Sequence, residues 1–256
     1  MQAGAITGYM DVAQVALYAF WIFFFGLIIY LRKEDKREGY PLISDRADGV
    51  RLDGWPRPPV PKTFLLPNGD TRLAPREEPP QPAFDAVPVA AWPGAPLQPI
   101  GNPLLAGVGP AASALRADVP DLTFETREPR VVPLRVASDH SVPAESPDPL
   151  TWEAVGADNV VGGIVTDLWI DRSETVVRYI EVTLAAGASV LVPMPLVRLD
   201  VRAQRVVVRS IMGAQFADAP LLANPDQVTL REEDRIAAFF AGGTLFADPR
   251  RLEPLL

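Results

Sequence analysis

From Val12 to Leu31 the chain reads VAQVALYAFWIFFFGLIIYL, twenty residues without a charge and with one side-chain amide, Gln14. At ~1.5 Å per residue a helix of this length spans ~30 Å, the thickness of a bilayer core. Only a helix or a closed barrel satisfies its own backbone there, and the run has no strand alternation, so one transmembrane helix is predicted. A cleaved leader fits less well, because residues 1–11 contain no Lys or Arg and no small-x-small cleavage site follows. Arg32, Lys33, Lys36 and Arg37 follow instead. The positive-inside rule then puts the N-terminus outside and the remaining chain in the cytoplasm. Tyr30, Arg32, Lys33, Arg37 and Tyr40 suit the inner interface, where aromatic rings and basic heads settle.

Beyond the helix the pattern changes twice. Twenty-two of the 28 prolines lie between Pro41 and Pro149, and proline bars helices and central strands. The stretch nevertheless keeps Trp55, Phe64, Leu65, Leu66, Phe84, Val87, Trp92, Ile100, Leu104 and Leu105, which a disordered linker would lack. It reads as an extended chain, over about 32–105, laid on a partner that supplies the core it lacks. After about Thr151, β-branched runs appear at 164–170, 176–184, 189–192 and 205–211, with an earlier one at 131–136. Turns are expected at Asp171–Glu174 and Ala185–Ala188, and at Gly162-Gly163. This spacing predicts a small antiparallel barrel within about 106–256. One helix is marked by a capping box, Thr229 to Glu232, and is expected to end at Gly242-Gly243. The fold class is therefore α+β: one N-terminal membrane helix, a cytoplasmic antiparallel β-barrel and a C-terminal helix.

Composition narrows the chemistry. There is no cysteine and a single histidine, His140, which excludes disulfides, thiolate metal sites and histidine-rich metal sites. A net charge of −8 argues against an electrostatically held nucleic acid. No nucleophile elbow, P-loop, H-E-x-x-H or EF-hand loop is present. His140, in a loop with Ser138, Asp139 and Ser141, reads as a solvated side chain. Asp171 and Glu174 share a turn, Arg178 follows four residues later, and Asp167 precedes them. The plain reading is a surface ion pair. The sharper one is a carboxylate passing protons toward a buried site in a partner.

Eight stretches carry a resemblance: YAFWIFFFGLIIYL (18–31), REGYPL (37–42), PKTFLLPNG (61–69), GVGPA (107–111), DLWID (167–171), EVTL (181–184), LVPM (191–194) and EEDRIAAFFAGG (232–243). In this order they are similar to the H subunit of the purple-bacterial photosynthetic reaction centre, over nearly the whole chain. The resemblance implies a single membrane helix and a PRC-barrel domain in the photosynthetic inner membrane, without catalysis of its own. It implies L and M subunits as partners, carrying bacteriochlorophyll, bacteriopheophytin, ubiquinone-type quinones, carotenoid and a non-haem iron, with no cofactor ligated by this chain. A light-harvesting ring and membrane lipids would surround the complex. It further implies a role in capping L and M, shielding the quinone sites and conducting protons to the secondary quinone. The family's proton-path glutamate aligns with Glu174 and its nearby arginine with Arg178; Asp171 is a secondary member. Known members carry an aspartate and two histidines at the proton-uptake surface, before the first barrel strand. Here that loop, residues 121–128, has no histidine; Asp121, Glu125, Glu128 or the more distant His140 remain as candidates. A membrane-tethered PRC-barrel adaptor for another complex is the alternative, and a tethered hydrolase is disfavoured by the missing motifs.

Overall fold

The computed structural model describes residues 5–7, 10–43, 50–76, 83–92 and 94–252. Part of the expected outer tail (residues 1–4, 8 and 9) and of the proline-rich stretch (44–49, 77–82 and 93) lies outside them. The chain divides into two compact units, Met1–Pro80 with Ala91–Ala95, and Gln81–Ala90 with Pro96–Leu256.

In the first unit, α1 (Val12–Glu34) covers the whole apolar run and three residues more. Asp11 caps it, accepting the Gln14 amide at 2.7 Å. None of its residues is buried within the chain, as a helix that turns its side chains to lipid requires. Just past the end of α1, two basic residues are engaged by the protein. Arg37 forms a bidentate pair with Glu34 (2.8 and 2.9 Å) and donates to the carbonyls of Val60 (3.0 Å) and Ala74 (2.7 Å). Lys36 is buried; its ammonium donates to the Asp53 carbonyl at 2.8 Å and lies 4.8 Å from the centre of the Tyr40 ring. Arg37, expected among lipid headgroups, instead has a side chain only 10% exposed. The four acceptors around its five donors explain why it turns inward.

The proline-rich chain pairs with itself in short ladders. Leu42–Ile43 pairs with Arg51–Leu52, and Lys62–Leu65 with Thr71–Ala74, as isolated antiparallel ladders. Ala86–Pro88 pairs with Leu97–Pro99 in the second unit. Two-stranded ladders have only edges, so proline is tolerated in them. Trp55, Leu65, Trp92 and Ile100 remain largely exposed.

The second unit holds a seven-stranded sheet. Its strands are β1 (Val131–Pro133), β2 (Glu153–Val155), β3 (Val161–Asp171), β4 (Val176–Thr183), β5 (Ser189–Pro193), β6 (Val197–Asp200) and β7 (Arg205–Val208). The order is β5-β4-β3-β2-β7-β6, with β1 also on β3. All pairs are antiparallel except β2–β7, a departure from the purely antiparallel expectation. β3 bends at register shifts and changes neighbours: its first half pairs with β2 and its last three residues with β1. The core joins Trp169, Ile180, Val182, Leu191 and Val206 to Ile236, Phe239 and Phe240 of α2 (Leu230–Phe246).

Both glycine pairs were misread as turns or stops. Gly162 and Gly163 lie inside β3, where a Cβ would strike the Phe216 ring or the Thr183 carbonyl. Gly242 and Gly243 lie inside α2, packed on Ala111 and on the Ser210 backbone. They permit close approach rather than a turn. The capping box at Thr229 forms as expected, its hydroxyl accepting the Glu232 amide and Glu232 accepting the Thr229 amide. Glu233 instead accepts from the buried Tyr179 hydroxyl (2.8 Å), and Asp234 from the Ala114 amide (2.5 Å).

Candidate functional site

The turn between β3 and β4 is built around Asp171, which is 1% exposed. Its Oδ1 accepts the amides of Ser173 (2.9 Å) and Glu174 (3.2 Å), and its carbonyl accepts the Thr175 amide (2.7 Å). An Asp opening a tight turn is the residue expected there, because its carboxylate substitutes for a missing backbone partner. Thr175 takes a left-handed φ of 53° to close the turn.

The guanidinium of Arg130 lies against this turn. Nε donates to Asp171 Oδ1 (2.9 Å) and Nη2 lies 2.8 Å from Oδ2, the fork-to-fork arrangement that suits a buried carboxylate. The same Nη2 donates to Glu174 Oε1 (2.7 Å), and Nη1 reaches Asp121 Oδ2 (3.4 Å). Burial works to raise the Asp171 carboxyl, but Arg130 and the two turn amides together outweigh it and hold the group below the usual range. Arg130 is itself pushed further up, first by its hydrogen bond to Asp171. Glu174 differs: its side chain is 59% exposed, so water reaches it.

Backbone pairing brings the 121–130 loop to the turn. The Arg172 amide donates to the Arg130 carbonyl and the Arg130 amide to the Asp121 carbonyl. Arg172 also reaches Glu128 Oε2 at 3.1 Å. Of the sequence candidates, Asp121, Glu128, Asp171 and Glu174 are therefore brought together. Glu125 is exposed on the same loop and is bound to none of them.

Three expectations are corrected. Glu174 pairs with Arg130, 44 residues upstream, and not with Arg178, which is exposed and has no ion pair among the described residues. β4 turns the Arg178 side chain to solvent while Tyr179 and Ile180 enter the core. His140 is not a solvated loop residue: it is half-buried, because the 141–149 loop folds back over the strands, and it lines a cleft with Val142 and Ile180. Asp167 belongs to a different cluster, below. Arg130 was missed by sequence reasoning; its only local signal is a basic residue directly before the β1 run.

Four residues before Asp171 on β3, Asp167 joins a second cluster. Nη1 of Arg135 lies 2.8 Å from both Asp167 Oδ2 and Glu181 Oε2, and its Nε lies 3.0 Å from Asp226 Oδ1. The Trp169 indole also donates to Glu181 (2.8 Å), and Arg135 donates to the Pro225 carbonyl. Asp167 and Glu181 are directly opposite on adjacent strands and both are buried. Among the described residues, no group of three or more His, Cys, Asp or Glu could hold a metal ion.

Residues 4–136 match the family model for the photosynthetic reaction centre H-chain N-terminal region, and residues 145–215 match the PRC-barrel domain. The first match covers all of α1, the 121–130 loop and β1; the second covers β2 to β7.

Proposed function

Because this chain belongs to the H-chain family of photosynthetic reaction centres, we propose that it caps the cytoplasmic face of the L and M subunits, shields their quinone sites and carries protons toward the secondary quinone through Glu174. Membership implies association with L and M in a photosynthetic membrane, and α1 fits a single pass. In this reading the tail 1–11 is periplasmic, 12–31 spans the bilayer, and 32–105 lies on the membrane-proximal surface. Residues 106–256 form the cytoplasmic domain, and light-harvesting polypeptides and lipids are neighbours. The exposed apolar side chains of the connector support it. Trp55, Leu65 and Trp92 are 74, 76 and 60% exposed within this chain, and apolar surface on that scale calls for a partner.

The observation that carries the relay reading is the contrast within one turn. Asp171 is buried and locked on Arg130, while Glu174 touches the same guanidinium and stays open to water. A group that passes protons needs access to water on one side and a fixed position on the other. Arg130 supplies the position that the resemblance gave to Arg178, and Asp171 serves as the anion that aims Arg130. Asp121 and Glu128 stand at the water-facing side, with Glu125 beyond them. Tyr30, Arg32, Lys33 and Tyr40 remain the residues of the inner interface.

Double reduction of a quinone consumes two protons, chemistry that belongs to the partner subunits. What this chain supplies is a carboxylate that takes a proton from water and releases it inward. Glu174→Gln in the assembled complex tests this. Second electron transfer is expected to slow about tenfold, a barrier raised by ~1.4 kcal/mol, with assembly unaffected. Unchanged kinetics at neutral pH would remove Glu174 from the path.

A further inference from the structure

The strand that ends the sheet leaves one of its sides open. β6 pairs with β7 alone, from Val197 opposite Val208 to Asp200 opposite Arg205, and stands last in the strand order. In an antiparallel ladder, alternate residues turn their amide and carbonyl toward the neighbouring strand and the others turn theirs away. β6 therefore presents main-chain donors and acceptors that no strand among the described residues takes up. The other end of the sheet differs, because β5 contacts α2.

The same ribbon concentrates positive charge. Residues 198–209 hold Arg198, Arg202, Arg205 and Arg209 against a single acid, Asp200, in a chain whose net charge is −8. Val206 and Val208 are buried, so the alternate residues Arg205, Val207 and Arg209 take the outer face. Arg198 lies opposite Val207, which makes Arg205 and Arg209 its diagonal neighbours, a separation of roughly 7–8 Å that long side chains span. Arg202 sits in the turn that follows β6. Glu153 of β2 pairs with Arg205 at 3.1 Å, and Asp200 accepts the Ala203 amide within the turn. Arg198, Arg202 and Arg209 are exposed, and none has an ion pair or a side-chain hydrogen bond among the described residues. Like charges on neighbouring cross-strand positions destabilise a sheet, and no anion of this chain offsets these three.

We propose that the β6 edge docks an extended acidic segment of another polypeptide, which joins the sheet as an added strand. The main chain of that segment pairs with β6, and the acidic side chains on every second residue meet the arginine face. The residues between them continue the inner face of Val197 and Leu199, which pack at the margin of the core, and are apolar. A phosphate group or a lipid surface would neutralise the arginines but leave the strand edge unpaired, so the two features together fit a peptide. The arginines also set the specificity. A second copy of this edge would bring arginine against arginine, whereas an acidic strand meets opposite charge.

The test is a fluorescence-anisotropy titration of a labelled peptide alternating valine and glutamate. It is titrated with the complex of this chain and its partner subunits in phosphatidylcholine nanodiscs. Wild type is expected to show one saturable site that weakens as salt rises. Arg198→Glu combined with Arg202→Glu is expected to weaken it by about tenfold or more, and the two lysine substitutions at the same positions to retain it. If the double variant fails to assemble, Arg202→Glu alone, in the turn, tests the same charge. A peptide with every amide N-methylated keeps its carboxylates but cannot donate to β6, and is expected to bind about tenfold more weakly. No saturable site, or equal affinity of wild type and the glutamate variants, would overturn the inference. Equal affinity of the methylated peptide would overturn strand addition. Displacement of the peptide by phosphatidylglycerol vesicles would assign the arginine face to lipid and overturn the peptide assignment.

Discussion

Arg130 and Arg135 flank the same three-residue strand and reach carboxylates four residues apart on β3, Asp171 and Asp167. Each guanidinium gathers three acids: Asp121, Asp171 and Glu174 around one, Asp167, Glu181 and Asp226 around the other. The clusters differ in where the glutamate goes. The Glu181 side chain is 11% exposed and shares its oxygen with the Trp169 indole, whereas that of Glu174 is 59% exposed. The same ion-pair chemistry therefore encloses the glutamate in one place and leaves it accessible in the other. Solvent contact, not the pairing itself, separates them.

The sharpest way to break this comparison is Arg135→Ala. It leaves the buried Asp167 and Glu181 facing each other without their cation; the Arg135 side chain is itself 38% exposed, so the loss falls at the low end of the buried-pair range, about 3 kcal/mol. Urea unfolding of the full-length chain in detergent should show that loss. A change under ~1 kcal/mol would mean that the second cluster does not brace the fold. Arg130→Ala comes next, at about 2 kcal/mol, because the Ser173 and Glu174 amides still satisfy part of Asp171. It should also slow second electron transfer as Glu174→Gln does, since the glutamate loses its positioning partner. Wild-type rates in Arg130→Ala would separate the two residues.

The pH dependence of stability sharpens the same contrast. The folded Asp171 carboxyl sits below its unfolded value of about 3.9. In that window the unfolded chain binds the extra proton. Asp171 therefore stabilises the fold fully above about pH 4, and this contribution fades as pH falls through the folded value. Asp171→Asn should flatten the acid limb of the urea midpoint between pH 5 and pH 3; an unchanged limb would mean that other carboxylates set it.

The smallest effects fall at the exposed positions. Glu174→Gln should change stability by no more than ~0.5 kcal/mol despite its kinetic effect. Arg178→Ala should change neither stability nor rate, and a slowed rate would return to Arg178 the role assigned here to Arg130. Micromolar Zn²⁺ should hardly slow proton uptake, because the 121–128 loop offers no imidazole. Strong stoichiometric slowing would point to a carboxylate site there.

The membrane span, the strands around 161–193 and the capped helix were legible because each is written in local order: an unbroken apolar run, β-branched stretches, a Thr–Glu spacing of three. Asp171 and Glu174 were legible because they share one turn. Arg130 was not, since it lies 41 and 44 positions before them and no local pattern marks a long-range pair. The glycine pairs at 162–163 and 242–243 were misread for a related reason. Glycine punctuates turns by its backbone freedom, but here it is the missing Cβ that matters, and what a Cβ would strike comes from a distant segment.

The sequence by itself determined that the chain has an N-terminal apolar helix long enough to cross a membrane, a proline-rich middle and a β-rich end with no thiol and one imidazole, because composition and short-range periodicity are properties of neighbours along the chain. Only the tertiary structure decided which arginine holds Glu174, that Arg37 turns inward and that His140 lines a cleft. Those outcomes depend on which distant groups arrive within about 3 Å and on whether water is excluded when they do, and neither distance nor dielectric is encoded by local sequence order.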